Sequence, residues 1–153
     1  LLLCVGGPME YVPAYRALAQ QHSVPLEHLR FVDRVPHAEV PYWMRACDVC
    51  TIPWTWSEFS AYYTSPMKLF EYMAVGTPIV ASDLPSLREI LRHEENALLV
   101  EAGNVRDLSA GIRVLLEQPA LGRALARRAA DEVQDYTWHK RAGRILALLE
   151  STG

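Results

Sequence analysis

Apolar residues fall in short unbroken runs along this chain, separated by stretches with helical spacing. The runs lie at residues 1–5, 29–32, 48–53, 78–82 and 97–100. Runs so short and continuous predict strands buried on both faces. Between and after them, helices are predicted over residues 10–21, 38–47, 66–75, 87–91, 105–117, 121–133 and 138–149. In the second of these Val40, Trp43, Met44 and Cys47 follow the 3.6-residue period. Strand followed by helix, repeated, predicts an α/β fold: a Rossmann-like doubly wound parallel sheet of about five to six strands with right-handed crossovers. Residues 1–153 read as one domain, including the C-terminal helices over 105–151. The first run, ended by Gly6-Gly7-Pro8, reads as a buried strand cut from a longer protein. The last of the three closing helices is expected either to pack back on the domain or to reach a partner outside it.

In such a sheet, ligands bind at the carboxyl ends of the strands. The loops after Val5, Val32, Ile52 and Ser82 are therefore the expected site. The richest of them leads into Tyr63-Thr64-Ser65-Pro66-Met67-Lys68-Leu69-Phe70-Glu71-Tyr72-Met73-Ala74-Val75-Gly76-Thr77-Pro78. Ser65 suits an N-cap and Pro66 the first helical position. Gly76 and Pro78 mark the stop. Leu69, Phe70, Met73 and Ala74 form the expected core face. The helix thus starts at the ligand end of the sheet, where its free N–H groups and dipole suit a phosphate. Lys68 opposes the dipole by a few tenths to about 1 kcal/mol unless an anion sits there; the alternative is a solvated lysine. Glu71, at i+3 from Lys68, either pairs with it locally or accepts hydrogen bonds from sugar hydroxyls beside the phosphate.

Bulk properties narrow the classes. Half the residues are hydrophobic, 22% are charged, and the net charge is -3. No overall positive field favours nucleic acid, and no apolar run reaches the ~20 residues that span a bilayer. Cys47 and Cys50 form a C-x-x-C pair, but Cys4 is the only other thiol, too few for a zinc site. All three cysteines are expected to be small buried apolar residues in a reducing compartment. The five histidines, His22, His28, His37, His93 and His139, lack metal-ligand spacing. Trp54, Trp56, Phe59, Tyr62 and Tyr63 crowd the loop after the third strand; they suit core or interface packing, or stacking on sugars and bases. Asp83 suits a helix cap or the site. Arg123, Arg127 and Arg128 make one basic face, solvated or in contact with anionic headgroups.

The segment ending Glu71-Tyr72-Met73-Ala74-Val75-Gly76-Thr77-Pro78-Ile79-Val80-Ala81-Ser82-Asp83 resembles the donor-site motif of group 1 (family 4) glycosyltransferases, which have the GT-B fold. That motif reads Glu, seven residues, Glu, then Tyr-Met-Ala or Ala-Met-Ala and Gly-x-Pro-Ile/Val-Val-Ala-Ser/Thr-Asp. The likeness continues in order. Phe31-Val32-Asp33-Arg34-Val35 resembles the Phe-Leu-Gly-x-Val turn, and Ala46-Cys47-Asp48-Val49 the Ala-Asp-Val strand start. Leu87-Arg88-Glu89-Ile90 is similar to Pro-Glu-Ile/Val, and Asn96-Ala97-Leu98-Leu99-Val100 with Gly103-Asn104 to Asn-Gly-Leu-Leu-Val and Pro-Gly-Asp/Asn. Tyr136-Thr137-Trp138 is similar to the Phe-Ser/Thr-Trp that opens the last helix.

The resemblance implies the C-terminal, donor-binding lobe of a retaining glycosyltransferase that needs its own N-terminal acceptor-binding domain to act. It gives Lys68 and Glu71 the catalytic roles, with Glu71 on the donor ribose. Thr64, Ser65, Met67 and Lys68 surround the donor diphosphate, Arg34 and Val35 the base. Pro66 stands where most members have Gly, which removes one N–H donor. Tyr63 stands where the first Glu of the motif belongs, near the sugar; a subset of the family shares Tyr-x-Ser-Pro-x-Lys-x-Phe-Glu-Tyr-Met. The implied donor is a UDP-, GDP- or similar nucleotide sugar, with no metal and no other cofactor. The implied setting is cytoplasmic, with peripheral contact at the inner face of the membrane open to the full-length enzyme. Two other readings stand beside it: a sugar-nucleotide epimerase of the same fold, and a non-catalytic nucleotide-sugar-binding module.

Overall fold

The computed structural model describes residues 1–151, and the chain divides into two compact units, the first Leu1–Cys47 and the second beginning at Asp48. In the first, β1 (Leu2–Val5) pairs in parallel with β2 (Leu29–Val32), Leu2 opposite Leu29 and Val5 opposite Val32. The crossover between them holds α1 (Val12–Gln21), entered through a 3₁₀ turn at Met9–Tyr11. Tyr15 of α1 stacks on Phe31 of β2 with ring centroids 6.1 Å apart. A 3₁₀ turn at His37–Glu39 leads into α2 (Val40–Arg45). The first strand is not the buried strand its composition suggests. Leu2 is 56% exposed and Cys4 is exposed, because β1 has a ladder partner on one side only.

The second unit carries the main core. β3 (Cys50–Ile52), β4 (Ile79–Ser82) and β5 (Leu98–Val100) form a parallel sheet with β4 in the middle. All four residues of β4 are buried, and the two-residue side-chain period splits them between two layers. Ile79 and Ala81 join Ile52, Leu69, Met73, Leu84 and Leu87 in one cluster. Val80 joins Leu98, Val100, Leu115 and Leu125 in the other. The first layer is supplied by α3 (Glu58–Tyr62), α4 (Met67–Val75) and α5 (Pro85–Arg88), the second by α6 (Val105–Glu117), and α7 (Pro119–Glu132) contributes to both, Ala129 to the first and Leu125 to the second. Helices on both faces of a parallel sheet are the doubly wound arrangement expected. The described strands number five, in a pair and a triplet rather than one sheet of five to six. Apolar runs mark where strands lie; which strands bond to each other is settled by tertiary packing.

Local chemistry explains most boundaries. Asn104 caps α6 by accepting the N–H groups of Arg106 and Asp107, and α6 lies close on the sheet because Gly111 has no side chain: a Cβ there would meet Val100 Cγ1 at 3.0 Å and Val80 Cγ1 at 3.2 Å. Gly76 ends α4 in the left-handed region at φ 71°, where glycine carries no steric penalty. The expected helix over 87–91 lies earlier, at Pro85–Arg88, since Pro85 presets its first turn. The short helix α3 was not expected. Its signal is a reciprocal cap in which Ser57 Oγ accepts the Ser60 N–H and Ser60 Oγ accepts the Ser57 N–H, a serine standing where the usual pattern has Glu or Gln. Of the three cysteines, all expected to be buried, only Cys50 is.

A polar knot ties the approach to β5 onto α7. Asn96, fully buried, donates from Nδ2 to Ile90 O at 3.1 Å and to Glu132 Oε2 at 2.7 Å, and accepts the Arg92 N–H at 2.7 Å. Glu132 also pairs with the guanidinium groups of Arg92 and Arg128. Burial pushes the Glu132 carboxyl up, but the hydrogen bonds from Asn96, Arg128 and Arg92 outweigh it and hold the group below the ordinary carboxylate value. A depressed folded-state value contributes stability that is full above the unfolded-state value and is lost as pH falls through the folded one. Wild-type stability therefore falls as pH drops through and below the ordinary carboxylate range, whereas Glu132→Gln starts lower and gives a flatter profile there. Urea unfolding at pH 7, 5, 4 and 3 checks this; parallel profiles would refute it.

The chain closes with α8 (Trp138–Ser151), which has no buried residue and meets the turn at Val133–Tyr136. Ile145, Leu148 and Leu149 are exposed, and Arg141 lies 5.7 Å over the Trp138 ring. Arg123, Arg127 and Arg128 are exposed as expected, with Arg128 spent on Glu95 and Glu132. Among the described residues no helix is long and apolar enough to cross a membrane.

Candidate functional site

The site builds outward from α4. Leu69 and Met73, four residues apart, are 1% and 0% exposed and fix the helix against the sheet. Phe70 adds an edge contact with Tyr136, ring centroids 5.5 Å apart. Ala74, expected in the core, is exposed instead: the buried stripe is narrower than the sequence pattern suggests. With that stripe pinned, the first turn faces outward. Met67 is 68% exposed, Lys68 is exposed and Glu71 is half-buried.

The helix begins one residue later than its punctuation implies. Pro66, not Ser65, sits at the N-cap position, and no side chain caps the helix. Proline lacks a side-chain oxygen, and Ser65 falls one position too early to reach the amides. The Leu69 N–H bonds to Pro66 O at 3.1 Å. The N–H groups of Met67 and Lys68 are left with no side-chain acceptor, which is what an anion at a helix N-terminus requires. Among the described residues no ion pair joins Lys68 to Glu71. Both charges remain free for a ligand rather than for each other.

The preceding turn is held tightly. The Thr64 hydroxyl donates to Phe59 O at 2.9 Å, and that same carbonyl accepts the Tyr63 N–H at 3.0 Å. Ser65 is exposed, and Tyr63 is 70% exposed. Trp54 packs partly against the core, while Trp56, Phe59 and Tyr62 are each more than 60% exposed. The loops after β3 and β4 adjoin at the carboxyl edge of the sheet, since the buried Ser82 hydroxyl donates to Trp54 O at 2.6 Å. In the first unit the loops after β1 and β2 adjoin likewise. The Gly6 N–H bonds to Val32 O at 3.0 Å, and a Cβ on Gly7 would lie 3.2 Å from Asp33 Oδ1. There Arg34 is exposed, its N–H bonded to Asp33 Oδ1 at 2.6 Å, and Val35 is half-buried.

Other candidates are spent on structure. Asp83 does not cap α5, whose N-cap is Leu84. It forms a two-point ion pair with Arg88, whose hydrogen bonds hold the Asp83 carboxyl below its ordinary value. An open depression at the ends of β4 and β5 is lined by Asp83, Arg88, Arg92, His93 and Glu95. Asp83 pairs there with Arg88 and Arg92 with Glu95, while Asp107 and Glu101, which also line it, accept from the Glu101 N–H and the Asn104 amide. Among the described residues no group of three His, Cys, Asp or Glu side chains is arranged to hold a metal ion. Sequence reasoning missed the hydroxyls of Ser60, Ser82 and Ser86, since serine at a strand end or in a loop gives no signal of which carbonyl it reaches.

The family model for glycosyl transferases group 1 matches residues 1–118. A phosphatidyl-myo-inositol mannosyltransferase of Mycobacterium leprae is 34% identical over 82% of this chain and 32% of its own length. The chain thus spans about a third of the relatives it matches. Among solved structures, HepE of Anabaena in complex with UDP superposes with a TM-score of 0.82 at 22% identity, covering 97% of this chain and 40% of that one. The C-terminal domain of the group 1 glycosyl transferase LpcC of Francisella tularensis superposes with a TM-score of 0.67 at 20% identity, over 84% of this chain and 64% of that one. These two likenesses carry the fold. With the family model running from β1 through α6, this chain belongs to the group 1 glycosyl transferases.

Proposed function

We propose that the chain binds a nucleotide-diphosphate sugar and serves as the donor-binding part of an enzyme that transfers the glycosyl group to an acceptor with retention of anomeric configuration. The observation that carries the reading is the uncapped N-terminus of α4, with free Lys68 and Glu71 on its outward face. The diphosphate rests on the Met67 and Lys68 amides, with the Lys68 ammonium beside it and Thr64 and Ser65 in the adjoining turn. One turn deeper, Glu71 accepts hydrogen bonds from the ribose. Tyr63 lies nearest the sugar, and the family resemblance assigns Arg34 and Val35 to the base.

As the glycosyl bond breaks, negative charge builds on the departing diphosphate. Helix amides and an ammonium fixed in advance stabilise that charge more than they stabilise the intact donor, which lowers the barrier. The donor needs no metal if these groups neutralise the phosphates. The relatives' names support transfer to an acceptor, and the UDP held by HepE supports a nucleotide donor. The acceptor-binding part belongs to an N-terminal domain of the whole enzyme, which acts at the cytoplasmic side of a membrane or free of it.

Titration calorimetry of the chain with UDP and with GDP tests this reading. One of the two binds in the micromolar to low millimolar range, and excess EDTA leaves its Kd unchanged. Failure of both to bind at millimolar concentration overturns the donor-site reading; binding only with added magnesium overturns its metal-free part.

A further inference from the structure

The segment between β3 and α4 is exposed yet heavily pinned. Trp56, Phe59, Tyr62 and Tyr63 all show more than 60% of their surface, and a segment so apolar and exposed has little packing to hold it. Its backbone is instead caught by hydroxyl donors on its own and neighbouring elements. Ser82 at the end of β4 donates to Trp54 O at 2.6 Å, and Ser86 of α5 donates to Ser60 O at 2.6 Å. Ser60 donates to Thr55 O at 2.9 Å, and Thr64 to Phe59 O at 2.9 Å. Underneath, Ala61 is 0% exposed and seats the short helix on the core. This set of bonds ends two residues before α4.

We infer that Thr64 and Ser82 are positioning residues: their hydroxyls hold residues 54–64 in one geometry and so aim the first turn of α4 at the donor diphosphate. The inference rests on the donor-site reading above. Thr64 acts here through the backbone and not as a phosphate ligand. A phosphate oxygen offers no proton, so a hydroxyl can bond to it only by donating, and the single Thr64 proton is given to Phe59. Ser82 is 2% exposed and its proton goes to Trp54 O, so it too reaches the ligand only through the chain it holds. Ordering the segment before binding removes an entropic cost from the binding step.

Thr64→Val tests the lock with little penalty to folding, because Phe59 O keeps the Tyr63 N–H when the hydroxyl goes. Calorimetry with UDP and GDP is run on wild type, Thr64→Val, Thr64→Ser and Ser82→Ala, alongside thermal melts and hydrogen exchange of peptides covering residues 54–69. Thr64→Val and Ser82→Ala each raise Kd about five- to tenfold, the loss of one aligning hydrogen bond. Both speed exchange in that segment, and Thr64→Ser restores wild-type values within about twofold. Unchanged Kd and unchanged exchange in Thr64→Val overturn the inference. So does a lower melting temperature with unchanged Kd, which marks a merely structural role. If Ser82→Ala does not fold, the Thr64 pair decides alone. If wild type binds neither nucleotide while Thr64→Val speeds exchange, the lock stands, the donor reading fails, and the claim that it aims α4 at a diphosphate falls with it.

Discussion

Replacing Lys68 by alanine raises the Kd for the bound nucleotide diphosphate by about ten- to a hundredfold, the range set by one charge-assisted hydrogen bond. Nothing else in the first turn of α4 supplies a positive side chain, and Lys68 forms no ion pair with Glu71. The effect shrinks as salt rises, because an exposed ammonium is screened over a Debye length of about 8–10 Å. Glu71→Ala weakens binding for a different reason, loss of a hydrogen-bond acceptor for the ribose, and Glu71→Gln recovers part of it because the amide carbonyl still accepts. The salt slope therefore separates the two residues: it flattens in Lys68→Ala and is kept in Glu71→Gln. Neither variant shifts the melting temperature by more than about 2 °C, since both side chains lie outside the core and make no ion pair with each other. Calorimetry at 50 and 300 mM salt reads all of this. Unchanged Kd in both alanine variants removes the site.

Asn96→Ala is the second large effect, on stability rather than binding. Asn96 is fully buried and satisfies three partners at once: Ile90 O, the Arg92 N–H and Glu132 Oε2. Truncation leaves three polar groups short of a partner inside the protein and opens a small void. The expected loss is about 2–4 kcal/mol, which lowers the melting temperature by roughly 5–15 °C for a chain of this size. The Kd of nucleotide in the folded protein stays within about twofold of wild type, because the residue braces α7 and the approach to β5 rather than the first turn of α4. Scanning calorimetry and urea unfolding give the stability, and nucleotide titration below the transition gives the Kd. A loss under about 1 kcal/mol would show that water replaces the amide and that the knot is not what it looks like.

Asn96 also shows where motif reading and physics part. In the sequence it opens a stretch resembling a family pattern, and the natural assumption for a motif residue is a role at the ligand. Its position gives it a structural task instead. Asp83 is the converse case: a carboxylate at the end of a strand, where ligands bind, yet spent on Arg88. The pattern Lys68-x-x-Glu71 could not be decided from spacing, since a local ion pair and a ligand pair use the same interval. The absence of that ion pair in the fold leaves both groups free.

The alternation of buried runs with helical stretches determined the α/β class, the helices near their observed bounds, and the α4 stop at Gly76, because each depends on local steric and hydrophobic preferences. The family, too, was legible in motifs kept in order. Sequence did not determine that β1–β2 and β3–β4–β5 pair as two separate sheets, that β1 is exposed, or that Ser57 and Ser60 fold a turn of helix out of an aromatic loop. Those outcomes turn on which backbone groups meet across the fold. Hydrogen bonds such as Ser82 to Trp54, 28 residues apart, are decided by three-dimensional proximity, which no periodicity encodes.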